Sequence, residues 1–349
     1  MIDNELEKFI GKDNLSVLQA MQKIDDNACG ILMIVDDDYS LKGCLTDGDV
    51  RRYLLACGKL EDNVLAAANL RPRCASNQEE ARELFHKKNF IAIPVVDDND
   101  HVVSIYLGGD EFEVPKVSLK VPVAINAGGK GTRLDPYTRV LPKPLIPVGE
   151  LPIIEHIMQR FMGYDCNEFH IILNYKKEII KGYFAENEGK YNIAWYEEER
   201  PLGTGGGLSL LKGKINETFF FTNCDNLLIA NYDSIIRFHR EHKNAITMIC
   251  AYKNIKIPYG VVEMGYNGSI EAMKEKPELS FLTNTGIYVV EPEVLEDMQE
   301  DVAIGFPDVV EQQKDKGRNV AVYPVSENEW LDMGQLPELE AMRRKLYGE

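Results

Sequence analysis

The sequence predicts an α/β protein in two parts: a mostly parallel sheet domain from residue 121 onward, preceded by a smaller α+β region. Three observations carry this. From residue 121 the chain alternates short apolar strand patterns with helical ones, the pattern of a parallel sheet with crossover helices. Its first strand, Val121–Asn126, runs straight into the glycine-rich stretch Gly128–Arg133. Residues 1–115, by contrast, look internally duplicated, and the join GGDEFEVPKVSLKVP is polar and charged and contains Pro115.

Composition narrows the function classes. The 349 residues are 44% hydrophobic and 27% charged, ordinary for a globular chain of two domains. No apolar run reaches the roughly 18 residues of a membrane span, and the acidic start MIDNELEKF has no signal-peptide character. The seven cysteines are scattered without a CxxC pair, which reads as reduced thiols and a cytoplasmic location rather than a disulfide framework or zinc site. His156, His170, His239 and His242 show no metal-ligand grouping. A formal net charge of −17 argues against nucleic acid or an anionic membrane as partner. Positive charge that is concentrated locally therefore stands out.

The first 115 residues contain two similar halves, 1–60 and 61–115. Each has a helical stretch and then an apolar strand ending in acids: ILMIVDDD in one and IAIPVVDD in the other, followed by LKGCLT and HVVSIYL. The acidic runs are turn signals between strands. In the first half Thr46 and Asp49 of LTDGDVRR sit where Asp47 and Asp49 could cap a helix beginning near Val50. The second half, IYLGGDEF, lacks that spacing.

After the linker at 116–120, strands are predicted at 121–126, 170–175, 192–198, 218–225, 245–252, 260–264, 282–290 and 319–325. Helices fill the gaps; in PIIEHIMQRFMG, Ile154, Ile157, Met158 and Phe161 share one face. In such sheets ligands bind beyond the C-terminal strand ends. The informative residues lie there. Gly128, Gly129 and Gly131, after Ala127 and before Thr132, let backbone N–H groups close on a phosphate without Cβ clashes. Lys130, Arg133, Arg139 and Lys143 add four cations, and Pro142 and Pro144 hold the chain around Lys143. The run suits a polyphosphate and something reacting with it. It is neither a Walker A loop nor a dinucleotide fingerprint. Asp225 closes the strand TFFFTNCD and is placed to hold Mg2+, which prefers one or two carboxylates plus substrate phosphates. Asp332 in WLDMGQL is a second such carboxylate. The loop PLGTGGGL, with Gly203 and Thr204, permits close approach to a base or phosphate.

Together GGxGTRLxPxTxxxPKPLxPV resembles the signature of the sugar-1-phosphate nucleotidyltransferases. That resemblance implies a Rossmann-like catalytic domain over 121–349. It implies that Arg133 and the 128–132 backbone hold the NTP phosphates, that Lys143 bridges the reacting phosphates, and that Asp225 and Asp332 hold Mg2+. LGTGG is similar to the base-reading loops of guanylyl- and uridylyltransferases, favouring GTP or UTP. Tyr259, Gly260, Glu275, Lys276 and Asn284 match the family's sugar-phosphate segments. The duplicated N-terminal region resembles a pair of CBS modules, with Thr46 and Asp49 in their ribose-contacting T-x-x-D pattern. That implies an adenine nucleotide as ligand and a homo-oligomer. A CBS pair ahead of such a domain resembles bacterial guanylyltransferases that make GDP-glucosamine for nonulosonate surface sugars. Glucose, mannose and heptose 1-phosphates stay open as substrates, as does a nucleotide-sugar sensor without turnover.

Overall fold

The computed structural model describes residues 6–27, 29–87, 92–107, 117–186 and 189–347. The chain divides into two compact units, Met1–Val114 and Pro115–Glu349. Residues 108–116, which include most of the polar join, lie outside the described residues.

The first unit contains β1 (Ile10–Lys12), α1 (Val17–Asn27), β2 (Ile31–Val35), β3 (Leu41–Thr46), α2 (Asp47–Leu55), α3 (Gln78–Lys87), β4 (Ala92–Val96) and β5 (Val102–Leu107). β1 pairs parallel with β2, and β2 antiparallel with β3. The second half follows the same plan: Ala75 makes a parallel bridge to Val95, α3 follows, and β4 pairs antiparallel with β5. Ile31, Met33 and Val35 of the first half share a buried cluster with Ala92 and Val102 of the second. The two halves therefore bury their apolar faces against each other. Helix α2 begins at Asp47 rather than near Val50, and Thr46 and Asp49 close a capping box at its start. Asp49 Oδ2 accepts from the Thr46 hydroxyl at 2.6 Å and from the Thr46 backbone N–H at 3.0 Å.

The second unit contains β6 (Val123–Asn126), α4 (Tyr137–Val140), β7 (Pro147–Val148), β8 (Leu151–Pro152), α5 (Ile153–Met162), β9 (Glu168–Leu173), α6 (Lys177–Ala185) and β10 (Asn192–Glu197). It continues through β11 (Phe219–Asn223), β12 (Asn226–Leu228), α7 (Tyr232–Glu241), β13 (Ile246–Lys256), β14 (Val261–Met264), β15 (Ile270–Lys274) and β16 (Glu278–Val290). It ends with α8 (Pro292–Glu296), α9 (Phe306–Asp315), β17 (Val320–Val325), β18 (Trp330–Asp332) and α10 (Leu336–Tyr347). Seven strands form one sheet in the order β10-β9-β6-β11-β16-β13-β17. All neighbours pair parallel except β16, which runs antiparallel to both β11 and β13.

Alternation along the central strands feeds two cores. Val123, Ile125, Ile171 and Phe220 face one cluster with Ile154, Ile157, Met158 and Phe161 of α5. Ala124, Ile172, Phe219 and Phe221 face the other, with Tyr288 and Phe306. Strands buried on both faces read as continuous apolar runs, which is why FFF and IIL identified them. The stretch 260–264 departs from expectation: β14 pairs with β15 in a separate ribbon outside the main sheet. Its side chains are exposed or half-buried, unlike those of a strand enclosed on both faces.

A buried carboxylate ties α5 to the chain around α6 and β10. Glu155 accepts from Lys190 Nζ at 2.6 Å and from the hydroxyls of Tyr183 and Tyr191. Burial pushes its pKa up, but these three donors outweigh that and hold it below the ordinary value. Glu155→Gln is expected to cost about 1–3 kcal/mol of stability at pH 7. Because the folded pKa is the lower one, that contribution is complete above the unfolded value of about 4.3 and is lost as pH falls through the folded value. Urea unfolding of both proteins from pH 7 to pH 3 should show the gap closing only at the acid end.

Candidate active site

The chemistry collects at the C-terminal ends of the parallel strands. β6 ends at Asn126, and Ala127 donates its N–H to Ile172 O at 2.8 Å, so the turn leaves the sheet at a fixed point. Gly131 then takes φ +65°, and a Cβ there would lie 2.9 Å from both Lys143 Cβ and Thr138 Cγ2. Only glycine fits, on both backbone and packing grounds. Thr138 Oγ1 donates to Gly131 O at 3.0 Å and closes the loop on itself. Around Gly129 there is open space within 4 Å, so its backbone is free to meet a ligand.

The loop's cations separate by role. Arg139 pairs with Asp135 at 2.7 Å on the surface. Arg133 lines a cleft of about 410 Å3 together with Thr204, Asp225, Asn284 and Asp332. Lys143 Nζ donates to Asp225 Oδ2, with side-chain exposures of only 13% and 10%. Burial alone would lower the Lys143 pKa; the charge of Asp225, followed by Cys224, the Asp225 hydrogen bond and Asp332, reverses this and raises it. Lys143 is thus a fixed cation.

Asp225 and Asp332, 107 positions apart by their numbers, are brought together by a two-stranded ladder. β12 and β18 pair antiparallel with Asn226 opposite Asp332, and Met333 donates its N–H to Asp225 O at 2.9 Å. The strand predicted to end at Asp225 stops at Asn223; Cys224 and Asp225 form the turn into β12. The pKa of Asp332 is raised, first by burial and then by the charge of Asp225. Two carboxylates crowded in a half-dry site and opposed by one lysine fit a divalent cation. Among the described residues no group of three or more His, Cys, Asp or Glu could hold a metal. One or two carboxylates are what Mg2+ takes from a protein, its remaining positions being filled by water and phosphate oxygens.

The glycines of PLGTGGGL serve the protein's own packing. A Cβ on Gly203 would meet Ile304 O at 2.7 Å, one on Gly206 would meet Val302 O at 2.3 Å, and one on Gly207 would meet Glu198 Oε1 at 2.6 Å. Thr204 Oγ1 accepts the Phe306 N–H at 3.0 Å, capping the chain into α9. The residue that sequence reasoning missed is Glu198. It is buried between Gly128 and Gly207, and its Oε1 has no hydrogen-bond partner among the described residues. Burial raises its pKa against the opposing Leu202 N–H. In WYEEER nothing distinguishes it from its two neighbours; only the close approach of two glycine backbones does.

Asn284 faces the cleft, with Nδ2 donating to Tyr288 OH at 2.7 Å and Oδ1 accepting from Gly286 N at 3.0 Å. Tyr259, Gly260, Glu275 and Lys276 do not line it. They lie on the chain flanking β14 and β15, where Tyr259 is 74% exposed and Gly260 adjoins Glu275.

Residues 123–347 match the nucleotidyl transferase family. The chain is 32% identical over 225 residues to a mannose-1-phosphate guanyltransferase of Pichia angusta, covering 60% of each protein. It is 35% identical over 176 residues to the bifunctional protein GlmU of Methanococcus maripaludis, covering 49% of this chain and 40% of that one. The chain thus spans less than two thirds of the length of these curated relatives. Its fold resembles that of HddC from Yersinia pseudotuberculosis, with a TM-score of 0.52 at 20% identity, covering 64% of this chain and 99% of that one.

Gly131→Ala is expected to destabilise the protein by about 1–3 kcal/mol, since it forces a side chain into left-handed backbone and into Lys143. A urea midpoint equal to wild type would show that the loop relaxes around the methyl group.

Proposed function

The chain belongs to the nucleotidyl transferase family, and from that premise we propose that it is a sugar-1-phosphate guanylyltransferase, joining GTP and a sugar 1-phosphate to give a GDP-sugar and pyrophosphate. The carrying observation is the convergence of Arg133, Asp225 and Asp332 on one cleft, with Lys143 held against Asp225. The reaction is an in-line displacement: a phosphate oxygen of the sugar 1-phosphate bonds to the α-phosphorus of GTP, and the bond to the β-phosphate bridging oxygen breaks. A phosphate dianion is already a competent nucleophile, so the protein's task is positioning and charge stabilisation.

Arg133 and the backbone N–H groups of 128–132 hold the β- and γ-phosphates. Lys143 places a fixed positive charge beside the reacting phosphates. Asp225 and Asp332 are the residues that would hold Mg2+, which when bound neutralises charge on the transferring phosphoryl. Asn284 lies on the cleft wall where the sugar is expected; the roles of Lys276 on the sugar phosphate and Glu275 on its hydroxyls rest on the motif resemblance alone, since both lie outside that lining. Lys143→Ala and Asp225→Asn are each expected to lower kcat/KM by about 10²-fold or more. Turnover within tenfold of wild type would remove that residue from the mechanism.

We propose that Glu198, which lies against Gly128 and Gly207 behind the glycine loops and outside the cleft lining, is the group that favours GTP over UTP. Guanine offers two adjacent donors, N1–H and the 2-amino group, to a carboxylate that only accepts. Uracil offers one N–H flanked by two carbonyl oxygens, which would face the carboxylate in repulsion. A buried group left unpaired by the wrong ligand discriminates strongly. Pyrophosphate release measured with Mg2+, the four common NTPs and a panel of glucosamine, mannose, glucose and heptose 1-phosphates is expected only with GTP, glucosamine 1-phosphate being our first choice of sugar. Glu198→Gln should shift preference from GTP toward UTP. Release with UTP alone in the wild type would overturn the guanine assignment.

For the N-terminal unit the repeated β–α–β–β plan supports a CBS pair that binds an adenine nucleotide near Thr46 and Asp49 and joins two copies of the chain. Cytoplasmic nucleotide-sugar synthesis for surface glycans is the setting this reading implies.

A further inference from the structure

The tripeptide Asn174-Tyr175-Lys176 lies between β9 and α6 and touches the phosphate loop at both ends. At the near end, Tyr175 donates its N–H to Gly128 O at 3.3 Å, and a Cβ on Gly128 would come 3.1 Å from Asn174 Cβ. At the far end, Lys176 Nζ donates to three consecutive carbonyls: Thr138 O at 3.1 Å, Arg139 O at 2.6 Å and Val140 O at 3.0 Å. An ammonium carries three protons, and here each has an acceptor. These carbonyls are the last of α4, where a positive charge is favoured by the backbone dipoles. The same tripeptide reaches Glu198, since Asn174 Nδ2 donates to Glu198 O at 3.0 Å.

The backbone at Lys176 is left-handed, with φ 52° and ψ 34°. Glycine would adopt that conformation without strain, but glycine has no ammonium to bridge to α4. The side chain therefore has a task that the backbone alone would not select.

We propose that Lys176 is a positioning residue for the nucleotide: it clamps the segment between Arg133 and Lys143 so that both cations face the triphosphate together. Arg133 lies five residues before Thr138, and Lys143 three residues after Val140. Thr138 also closes onto Gly131 O at 3.0 Å, so freeing the 138–140 turn loosens the loop at its middle and at its glycine hinge. Lys176 is not among the residues that line the cleft. Its effect passes through the loop.

This inference rests on the nucleotidyl-transfer reading, and its test has one readout that does not depend on turnover. Lys176→Met and Lys176→Arg are compared with wild type in the full chain. Backbone amide exchange of 132–141 is measured, together with KM for GTP and KM for the sugar 1-phosphate that supports turnover. In Lys176→Met the loop amides are expected to exchange about tenfold faster or more, and KM for GTP to rise by about tenfold or more. KM for the sugar 1-phosphate should stay within about twofold and the thermal midpoint within about 2 °C. Lys176→Arg, which keeps donors for the carbonyls, should restore most of both losses. Unchanged loop exchange in Lys176→Met would overturn the clamp. So would a parallel loss of both KM values and the midpoint, which would mark a general structural role. If the wild type turns over no pair at all, the nucleotidyl-transfer reading fails on its own, and the exchange data still decide whether Lys176 holds the loop.

Discussion

The pairing of β12 with β18 is the constraint on which the site depends. It is a ladder of three residues on each side, yet by setting Asn226 against Asp332 it brings Asp225 and Asp332 to the wall of one cleft. The pKa of Asp332 is raised, first by burial and then by the like charge of Asp225. Lys143 relieves part of it through Asp225. The remaining negative potential is what a divalent cation and its phosphate ligands would complete. The ladder, the lysine and the glycine turn that brings the lysine there form one electrostatic unit.

The two glycine runs answer to different demands. Gly131 is required by a left-handed turn and by Lys143 and Thr138 behind it. Gly203, Gly206 and Gly207 are required by the protein's own backbone and by Glu198, which a Cβ at these positions would meet. In the first run the missing Cβ lets the loop turn tightly against Lys143 and Thr138. In the second it lets a loop lie flat on the 302–306 segment and leaves a buried carboxylate at its edge.

Strands, helices and the order in which they alternate were legible in the sequence, because burial on both faces demands apolar runs and the crossover helices demand a 3.6-residue stripe. FFF at 219–221 and IIL at 171–173 read as buried strands. The phosphate loop was legible for the same kind of reason: glycine, cations and flanking prolines are local requirements, satisfied within about twenty neighbouring positions. Asp225 was legible as a carboxylate closing a strand, and Asp332 through the W-x-D-x-G stretch that matches the family pattern.

What tertiary structure alone decided is which of these residues meet. No local rule sets Asp225 beside Asp332, reverses β16 within a parallel sheet, or moves 260–264 out of that sheet into a ribbon with 270–274. Glu198 was invisible among three consecutive glutamates until two glycine backbones closed on it. Lys176 read as one of two adjacent lysines until its ammonium met three carbonyls from another helix. Periodicity and turn chemistry act between neighbours along the chain, whereas the register of a ladder and the partner of a buried charge depend on segments that only folding brings together.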